Sequence, residues 1–539
     1  MGRLVVAGLV AIRVFAQTPA APANPQVNSI EGTVLNDRTG QPLPRAHVSL
    51  LPAQAGLSAV AVDADEKGGF AIRGFEAGRY SVSAARDGYL TTSVCWLGNV
   101  RMQPTFAIGA KETVAGLTFR LRPFAVMAGR ISFEDGEPAM NVRVEAYREY
   151  RNHLRHGYAL ADSATTNDRG EYRLFGLQPG SYIVAATERP TAASEQVREI
   201  QTLRYTTTFY PNSTKLGEAA PVLLDYGQES GGIDVSLKRV KKVKLHGYVI
   251  SGATGDAVSS ATIAMQRVDA HNTASIAVTV PVTFDHNHRF EIRDVAPESY
   301  IIWAESADGG TVLMGHAPLT VDGADIDNVE LTILGPRPGS AVLVDGGVRL
   351  DDARLRFEPR NERGKIVEAS KLAGVDGFHF SLMGDDLYDL FVTNLPNDFY
   401  LSAVRVNGQD MMASGIEGAA ATPERPFEVV LDPRGGRVSG RVLGSDDSLW
   451  SRASVALIPD PPKGRVQAYR EGAADENGLF LLRGVGPGKY ILVAWLDEPP
   501  CDYYNPDGLA SCRSMGMSIE VDEAGEQNVE LRMKGSADR

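Results

Sequence analysis

The most constraining feature of this sequence is a short turn that recurs ahead of a tyrosine. In the clearest copies a glycine opens the turn, a second glycine closes it, and the tyrosine follows two residues later. Glycine accepts a positive φ at turn positions, and the tyrosine starts a strand whose ring fills a core while its hydroxyl bonds locally. The copies lie at 74–80, 176–182 and 484–490, with weaker copies at 294–300 and around Tyr388.

The spacing of these tyrosines sets the size of the repeating unit. Neighbouring copies are separated by about 100 residues, the size of a whole sandwich domain rather than of a solenoid repeat. The chain has 539 residues, which is too many for a single hydrophobic core. We therefore expect five domains of one type in series.

Each unit also begins and ends with a strand signature. A glycine lies inside the opening strand of four units, and the closing strands alternate apolar and polar residues, which predicts strands with one buried face. Between them lies a hairpin that opens on Asp or Asn and closes on Gly, as at 65–69. Only 191–205 has weak helical spacing. The sequence therefore predicts an all-β chain of tandem β-sandwiches.

These signatures divide the chain into seven segments. We expect a signal peptide and a disordered linker, then five sandwiches of which the fourth is degenerate. The linkers between sandwiches are short, which favours an elongated array. The predicted bounds are 1–16 for the signal peptide, 17–27 for the linker, and 28–123, 124–239, 240–335, 336–433 and 434–535 for the sandwiches.

The N-terminus predicts export. Arg3 precedes an apolar run at 4–12, and Ala16 before Gln17 fits a small-residue cleavage site. No other stretch approaches the roughly 18 uninterrupted apolar residues of a membrane helix, so we expect no membrane span after signal removal. The sequence predicts a periplasmic, cell-surface or secreted protein.

Cysteine content and charge narrow the choice of partners. Cys501 and Cys512 lie close together in a loop-like segment and are predicted to form a disulfide, whereas Cys95 is left over. The net charge of −13 repels phosphate backbones and anionic lipid. We therefore expect a protein or polysaccharide partner at the cell envelope, and no nucleic acid.

Catalytic and cofactor motifs do not occur in the structural contexts that they require. His288 and Glu291 match the spacing of a zinc motif, but they fall in a predicted hairpin and strand, where residues three apart point to opposite faces. The sequence has no nucleophile elbow, phosphate loop or dinucleotide fingerprint in a strand-to-helix context. We expect no catalytic residues, no metal and no cofactor.

Aromatic residues give the best indication of a binding surface. By the alternation that follows each strand tyrosine, Trp303 and Trp495 lie on the outer face, where an exposed indole is a platform for a sugar ring or a partner protein. The alternative for both tryptophans is that a neighbouring domain or a long loop covers the indole. Tyr503 and Tyr504, inside the loop that the predicted disulfide closes, form a second candidate patch.

The strand glycine, the Asp-x-x-Gly hairpin and the Gly-Leu-x-Pro-Gly-x-Tyr turn together resemble the carboxypeptidase regulatory-like domain. That family is a prealbumin-like, Ig-like sandwich related to collagen-adhesin B-type repeats and to starch-binding-like domains. The resemblance covers nearly all of 28–535. Because the family's module is an accessory domain, the resemblance implies an architecture and no reaction.

The expected function follows from this resemblance. We expect an exported, non-enzymatic multidomain protein that acts in binding or as a spacer. A carbohydrate-binding protein that uses starch-binding-like sandwiches is the first alternative. An enzyme with an unrecognised site in the fourth domain is the second.

Overall fold

The structure is a computed structural model of the chain. The predicted signal peptide and residues 17–26 of the predicted linker lie outside the described residues, as does most of the predicted helix at 191–205, whose last three residues form a strand. The described residues are 27–53, 56–93, 95–97, 100–102, 105–151, 156–188, 203–268, 275–278, 280, 282–344, 350, 352–361, 364–371, 377–384, 386–444, 447, 449–461, 466–496, 499, 501–504 and 508–533.

The first sandwich shows the arrangement that the others share. Its strands are β1 (Ser29–Asn36), β2 (His47–Pro52), β3 (Val60–Asp63), β4 (Gly69–Arg73), β5 (Gly78–Ala85), β6 (Cys95–Leu97), β7 (Val100–Met102), β8 (Thr105–Ile108) and β9 (Thr113–Leu121). One sheet has the order β4-β1-β9-β6-β7 and the other β3-β2-β5-β8. The first and last strands, β1 and β9, pair in parallel. Apolar side chains from both sheets fill the space between the two sheets.

The second sandwich adds short strands and a 3-10 helix to this plan. Its elements are β10 (Ala125–Ser132), β11 (Val142–Arg151), β12 (His156–Thr165), β13 (Glu171–Leu177), β14 (Gly180–Glu188), β15 (Leu203–Tyr205), β16 (Thr208–Phe209), a 3-10 helix (Leu216–Glu218), β17 (Val222–Leu224), β18 (Glu229–Ser230), β19 (Val235–Ser236) and β20 (Arg239–Lys241). The two main sheets are built on β13-β10-β18 and β12-β11-β14-β16, and β15 pairs with β20.

The third sandwich has two four-stranded sheets. Its strands are β21 (Val243–Ser251), β22 (Thr262–Val268), β23 (Ser275–Val278), β24 (Val282–Phe284), β25 (Arg289–Val295), β26 (Ser299–Asp308), β27 (Thr311–Thr320) and β28 (Ile326–Ile333). The sheet orders are β24-β25-β21-β28 and β23-β22-β26-β27, and β21 and β28 are the parallel first and last strands.

The fourth sandwich keeps the plan although its sequence is degenerate. Its elements are β29 (Pro336–Val344), β30 (Arg354–Pro359), β31 (Val367–Glu368), β32 (Ser370–Lys371), β33 (Gly377–Met383), β34 (Leu387–Thr393), β35 (Tyr400–Val406), β36 (Gln409–Asp410), β37 (Ile416–Glu417), a 3-10 helix (Gly418–Ala420) and β38 (Phe427–Asp432). The sheets are β32-β33-β29-β38-β35-β36 and β31-β30-β34-β37, with β29 and β38 in parallel.

The fifth sandwich carries an α-helix. Its elements are β39 (Gly436–Gly444), β40 (Ser454–Pro459), a 3-10 helix (Val466–Ala468), β41 (Arg470–Ala473), β42 (Leu479–Val485), β43 (Gly488–Trp495), α1 (Leu509–Met515), β44 (Met517–Val521) and β45 (Glu526–Met533). The sheets are β42-β39-β45 and β41-β40-β43-β44. The predicted all-β architecture of tandem sandwiches is therefore confirmed.

The glycine in the opening strand is explained by the parallel pairing of first and last strands. At each of the four glycines, a β-carbon would overlap a backbone carbonyl oxygen of the last strand or of the residues that lead into it, so no larger residue fits without moving the backbone. The pairs are Gly32 with Leu117, Gly129 with Ile233, Gly247 with Val329, and Gly440 with Val529.

The tyrosine that follows the repeated turn ties the turn to the strand. In four sandwiches its ring is buried and its hydroxyl donates to the backbone carbonyl four residues earlier, as the sequence predicted for a local partner. The distances are 3.1 Å from Tyr80 to Glu76, 2.6 Å from Tyr182 to Gln178, 2.9 Å from Tyr300 to Ala296, and 2.7 Å from Tyr490 to Gly486. In the fourth sandwich, Tyr388 instead accepts from the backbone N–H of Met383 at 3.1 Å.

The Asp-x-x-Gly hairpins are closed by side-chain hydrogen bonds. In the third sandwich, Asp285 accepts from the backbone N–H groups of Asn287 at 2.8 Å and Arg289 at 2.9 Å. The turn also needs one residue in the left-handed region, which is glycine in the first, second and fifth sandwiches but His288, at φ 62°, in the third. The third copy of this turn is therefore strained.

Replacing His288 with glycine is expected to raise the free energy of unfolding by about 1 kcal/mol, because glycine adopts the left-handed conformation without a steric cost. Chemical denaturation of the full chain measures the change. The control is His286→Gly, in the same turn but without a positive φ, which is expected to give no gain. A His288→Gly protein that is less stable than the parent would show that the histidine ring contributes more than the strain costs.

Consecutive sandwiches share well-defined contacts. Between the second and third, Ile276 of β23 packs into an apolar cluster with Phe209 and Leu216. Between the fourth and fifth, both oxygens of Asp398 accept from the guanidinium of Arg437, at 3.0 and 2.8 Å. Neighbouring domains are therefore fixed to one another by specific side chains.

The first and fifth sandwiches also touch. Arg452 donates to the hydroxyl of Thr105 at 3.1 Å, and Arg79 lies 3.5 Å from the carboxylate of Glu476. These contacts correct one part of the sequence expectation, because an array in which the first and last domains meet is not elongated along its whole length. Within the described part of the chain, no helix has the length and apolar content needed to span a bilayer.

Candidate functional site

The stapled loop of the fifth sandwich is the first candidate site. It connects β43 to β44, and Cys501 and Cys512 form the disulfide that the sequence predicted. Cys512 lies within α1, so the disulfide ties the helix to the start of the loop. The remaining cysteine, Cys95, is buried in the first sandwich, where desolvation raises the pKa of its thiol to about 12.

The loop covers the outer face of its own sheet. Ile491 and Val493 of β43 point away from the main core and pack against Cys501, Tyr503 and Leu509 in a second, smaller core. A strand that is buried on both faces in this way is held rigidly, and so is the loop that covers it. The backbone of the loop therefore holds its side chains in fixed positions.

Four aromatic rings lie side by side in this loop region. The ring centroids of Trp495 and Tyr503 are 5.7 Å apart, those of Tyr503 and Tyr504 are 4.5 Å apart, and those of Tyr504 and Tyr469 are 5.0 Å apart. Tyr503 is buried, whereas Trp495, Tyr504 and Tyr469 are half-buried. The structure thus brings together three of the four predicted aromatic site residues.

The carboxylate of Glu471 accepts hydrogen bonds from both tyrosines of the loop. Tyr503 donates its hydroxyl to Glu471 Oε1 at 2.9 Å, and Tyr504 also donates to that oxygen. Burial, and then the nearby negative charge, raise the pKa of both tyrosines, so both hydroxyls stay protonated and act as donors at neutral pH. Sequence reasoning missed Glu471, because nothing in its local sequence shows that β41 lies beside the loop.

Trp303 lies apart from this cluster and is buried. Its side chain is only 5% exposed, its indole N–H donates to Gln266 at 2.9 Å, and its ring stacks on His316 with centroids 4.3 Å apart. Both partners lie on the outer face of the same sheet as Trp303, on neighbouring strands. The expectation of an exposed indole is therefore corrected for this residue.

The histidine and the glutamate of the zinc-like motif have separate hydrogen-bond partners. Glu291 of the zinc-like motif accepts from His246 at 2.9 Å, whereas His288 lies in the turn, 3.3 Å from the carbonyl oxygen of Ala257. Among the residues that the structure describes, no three His, Cys, Asp or Glu side chains are placed to hold one metal ion.

The removal of the disulfide is expected to destabilise the fifth sandwich. The Cys501→Ser, Cys512→Ser double variant lacks the cross-link between two residues that are 11 positions apart in the sequence. The unfolded state then gains chain entropy, which lowers the free energy of unfolding by about 3 kcal/mol. Denaturation followed by tryptophan fluorescence measures the loss, since Trp495 packs on the loop. The parent protein treated with reductant serves as the control and should match the double variant. Equal stability of oxidised and reduced protein would contradict this expectation.

A family comparison matches the first sandwich. The family described as the carboxypeptidase regulatory-like domain matches residues 29–122, so this sandwich is similar to that domain. The opening-strand glycine and the buried tyrosine of the first sandwich recur in the second, third and fifth sandwiches, with the same backbone contacts.

Comparisons with other proteins give only distant likenesses. A streptococcal ancillary pilin is 13% identical, with 57% of this chain and 99% of the pilin covered at a TM-score of 0.19. A minor pilin of Streptococcus agalactiae is 13% identical, with 40% of this chain and 96% of the pilin covered at a TM-score of 0.23. A major pilin subunit of Bacillus cereus is 9% identical, with 94% of this chain and 99% of the pilin subunit covered at a TM-score of 0.16. The search of curated proteins gave no match. Scores this low support no statement about function.

Proposed function

We propose that this chain is an exported, non-enzymatic protein that presents recognition surfaces on a series of sandwich domains at the cell envelope. The observation that carries the proposal is that the five large apolar cores of the described chain belong one to each sandwich. Sandwiches of this kind are scaffolds, and function on a scaffold is located in its loops and junctions.

The alternative role is that of an enzyme with an unrecognised site in the fourth sandwich. Its buried carboxylates have partners that account for them: Asp389 pairs with Arg360 at 2.8 Å, and Glu358 lies 2.9 Å from Arg356. Asp386 accepts from the hydroxyl of Tyr388 at 3.4 Å. Paired carboxylates that stabilise a sandwich favour the binding and spacer role over the enzyme alternative.

The disulfide supports export. Disulfides persist in the periplasm, at cell surfaces and outside cells, and they are rare in reducing compartments. Cys501 and Cys512 staple a loop that carries part of a cluster of aromatic rings, of which Trp495 and Tyr504 are half-buried. We propose that this loop contacts an envelope protein or polysaccharide, with Trp495 and Tyr504 as the contact residues. The burial of Trp303 removes the second indole on which carbohydrate binding by the sheet faces would depend.

Fractionation of the cells that make this protein tests the proposal. The chain is expected in the envelope or extracellular fraction, with the thiols of Cys501 and Cys512 protected from alkylation and Cys95 reactive after unfolding. A chain that lacks residues 1–16 is the control and should remain in the cytoplasm with all three thiols reduced. If the complete chain is found in the cytoplasm with free thiols at 501 and 512, the proposal is wrong.

A further inference from the structure

The first and fifth sandwiches meet through a small polar contact, although three other sandwiches lie between them in the sequence. Arg452 of the fifth sandwich donates from Nη1 to Thr105 Oγ1 of the first at 3.1 Å, and from Nη2 to Glu476 Oε1 of its own domain at 3.0 Å. Arg79 of the first sandwich lies 3.5 Å from the same oxygen of Glu476. We call these four residues the terminal contact.

Both sandwiches hold the terminal contact on rigid backbone. Arg79 and Thr105 lie on β5 and β8, which pair with each other. Arg452 donates its backbone N–H to the carbonyl of Asp475 at 3.1 Å, and Asp475 belongs to the hydrogen-bonded turn that contains Glu476. The contact is therefore made or lost when one sandwich moves relative to the other.

The left-handed backbone at Arg452 belongs to the plan of the sandwich. Its φ is 57°, and Arg45 and Asn141 have the same conformation, at φ 60° and 62°, just before the corresponding strands of the first and second sandwiches. The fold thus fixes the point from which this side chain extends, whereas the residue type differs between copies. In the fifth sandwich an arginine at this position reaches the first sandwich.

The terminal contact is exposed to solvent. The side chains of Arg79 and Glu476 are 57% and 67% exposed. Ion pairs at this exposure are weak, and added salt screens them further. The junction between the second and third sandwiches differs, since both side chains of its ion pair, Arg267 and Glu298, are buried. Salt therefore weakens the terminal contact much more than it weakens that junction.

A weak contact is enough to close the array of sandwiches. The second, third and fourth sandwiches tether the first to the fifth, so the two meet at a high effective concentration whatever the concentration of the protein. The small free energy of such a contact leaves an open form populated beside the closed one. Conditions that weaken the ion pair then shift the balance between the two forms.

We propose that the terminal contact is a salt-sensitive switch between two shapes of the chain. In the closed form, Arg452 and Glu476 hold the first sandwich against the fifth. In the open form these two sandwiches separate, while the buried junction between the second and third sandwiches stays intact. The switch changes the distance between the first sandwich and the stapled loop of the fifth, and it operates whichever partner that loop binds.

Small-angle X-ray scattering of the full chain tests the switch. The chain is measured in about 10 mM and about 1 M NaCl, between which the screening length falls from about 30 Å to about 3 Å. We expect the radius of gyration to rise by roughly a tenth or more in high salt, because the size of a multidomain chain depends on the separation of its domains. Glu476→Ala should have the larger radius already in low salt and change little further.

Two results would overturn the proposal. Equal radii of the parent and Glu476→Ala in low salt would show that the terminal contact does not set the shape of the chain. A parent radius that stays the same in high salt would show that the closed form does not open when its ion pair is screened.

Glu66→Ala is the matched control for Glu476→Ala. Glu66 is exposed and has the position of Glu476 in the corresponding turn of the first sandwich. We expect this variant, and Lys67→Ala in the same turn, to match the parent at both salt concentrations. A larger radius of either variant in low salt would mean that the loss of any surface charge opens the chain, which contradicts the assignment to the terminal contact.

An exchange of charges tests the ion pair itself. Arg79→Glu places two carboxylates together and should give the larger radius in low salt, whereas Arg79→Glu combined with Glu476→Arg restores an opposite pair and should return the smaller radius. Both positions are exposed, so these variants are expected to unfold at the same temperature as the parent. A double variant as large as Arg79→Glu would show that this ion pair does not close the chain.

Discussion

Replacing Gly129 with alanine is expected to lower the free energy of unfolding by about 4 kcal/mol, at the upper end for overpacking in a core. The new methyl group would overlap the backbone carbonyl of Ile233, and backbone atoms cannot move aside as a flexible side chain can. The last strand of the second sandwich must therefore shift away from the first. Urea denaturation of the full chain measures the loss.

Gly231→Ala is the matched control for this prediction. Gly231 belongs to the same sandwich, has no atom within 4 Å of an added β-carbon, and does not have a positive φ. We expect its replacement to change the free energy of unfolding by less than about 0.5 kcal/mol, as for ordinary surface positions. Equal effects of Gly129→Ala and Gly231→Ala would mean that close approach of the two strands does not explain the repeated glycine.

Replacing Arg267 with methionine is expected to cost about 4 kcal/mol, because it leaves a buried carboxylate without its positive partner. Nε of Arg267 lies 2.7 Å from Oε2 of Glu298, without hydrogen-bond alignment, and both side chains are buried between the second and third sandwiches. The other oxygen of Glu298 accepts from the backbone N–H of Leu216 at 2.6 Å. Differential scanning calorimetry of the full chain should show the loss in these two domains.

A second change should restore most of this stability. Adding Glu298→Gln to Arg267→Met removes the unpaired charge and keeps an acceptor for the Leu216 N–H, so the double variant is expected to be more stable than the single one. If the double variant is as unstable as Arg267→Met, the charge of Glu298 is not the cause.

The same carboxylate gives the single variant a distinctive pH dependence. Burial raises the pKa of Glu298, and Arg267 opposes that rise, so the pKa should rise further in Arg267→Met. The folded state then binds a proton at pH values where the unfolded state does not, and stability increases as the pH falls through the folded pKa towards the unfolded value. Glu298→Gln should remove this dependence in thermal unfolding measured across that range.

The fold was predictable because its determinants are local. Three of these determinants can be recognised from a few consecutive residues. They are a glycine that lets a neighbouring strand approach, an aspartate that closes a turn, and a tyrosine whose hydroxyl bonds to the carbonyl four residues earlier. The copies at Tyr80, Tyr182 and Tyr490 were therefore recognisable. Even the degenerate fourth sandwich keeps its tyrosine, Tyr388, in the core.

The candidate sites were predictable only in part, because they depend on contacts between distant segments. Strand alternation placed Trp303 on the outer face, but alternation cannot show that Gln266 and His316 cover it there. The disulfide and the tyrosines of the stapled loop were found because they are close in sequence. Glu471 was not found, because it lies on β41, 32 residues before Tyr503, and only the fold brings the two together.

We propose that this chain binds an envelope component and does not transform it. Biolayer interferometry of the full chain against the isolated envelope of its own cells tests this proposal. We predict saturable binding that falls at least about tenfold, or 1.4 kcal/mol, in the Cys501→Ser, Cys512→Ser variant and is unchanged in Lys67→Ala. Absence of saturable binding, or consumption of an envelope component by the chain, would contradict it.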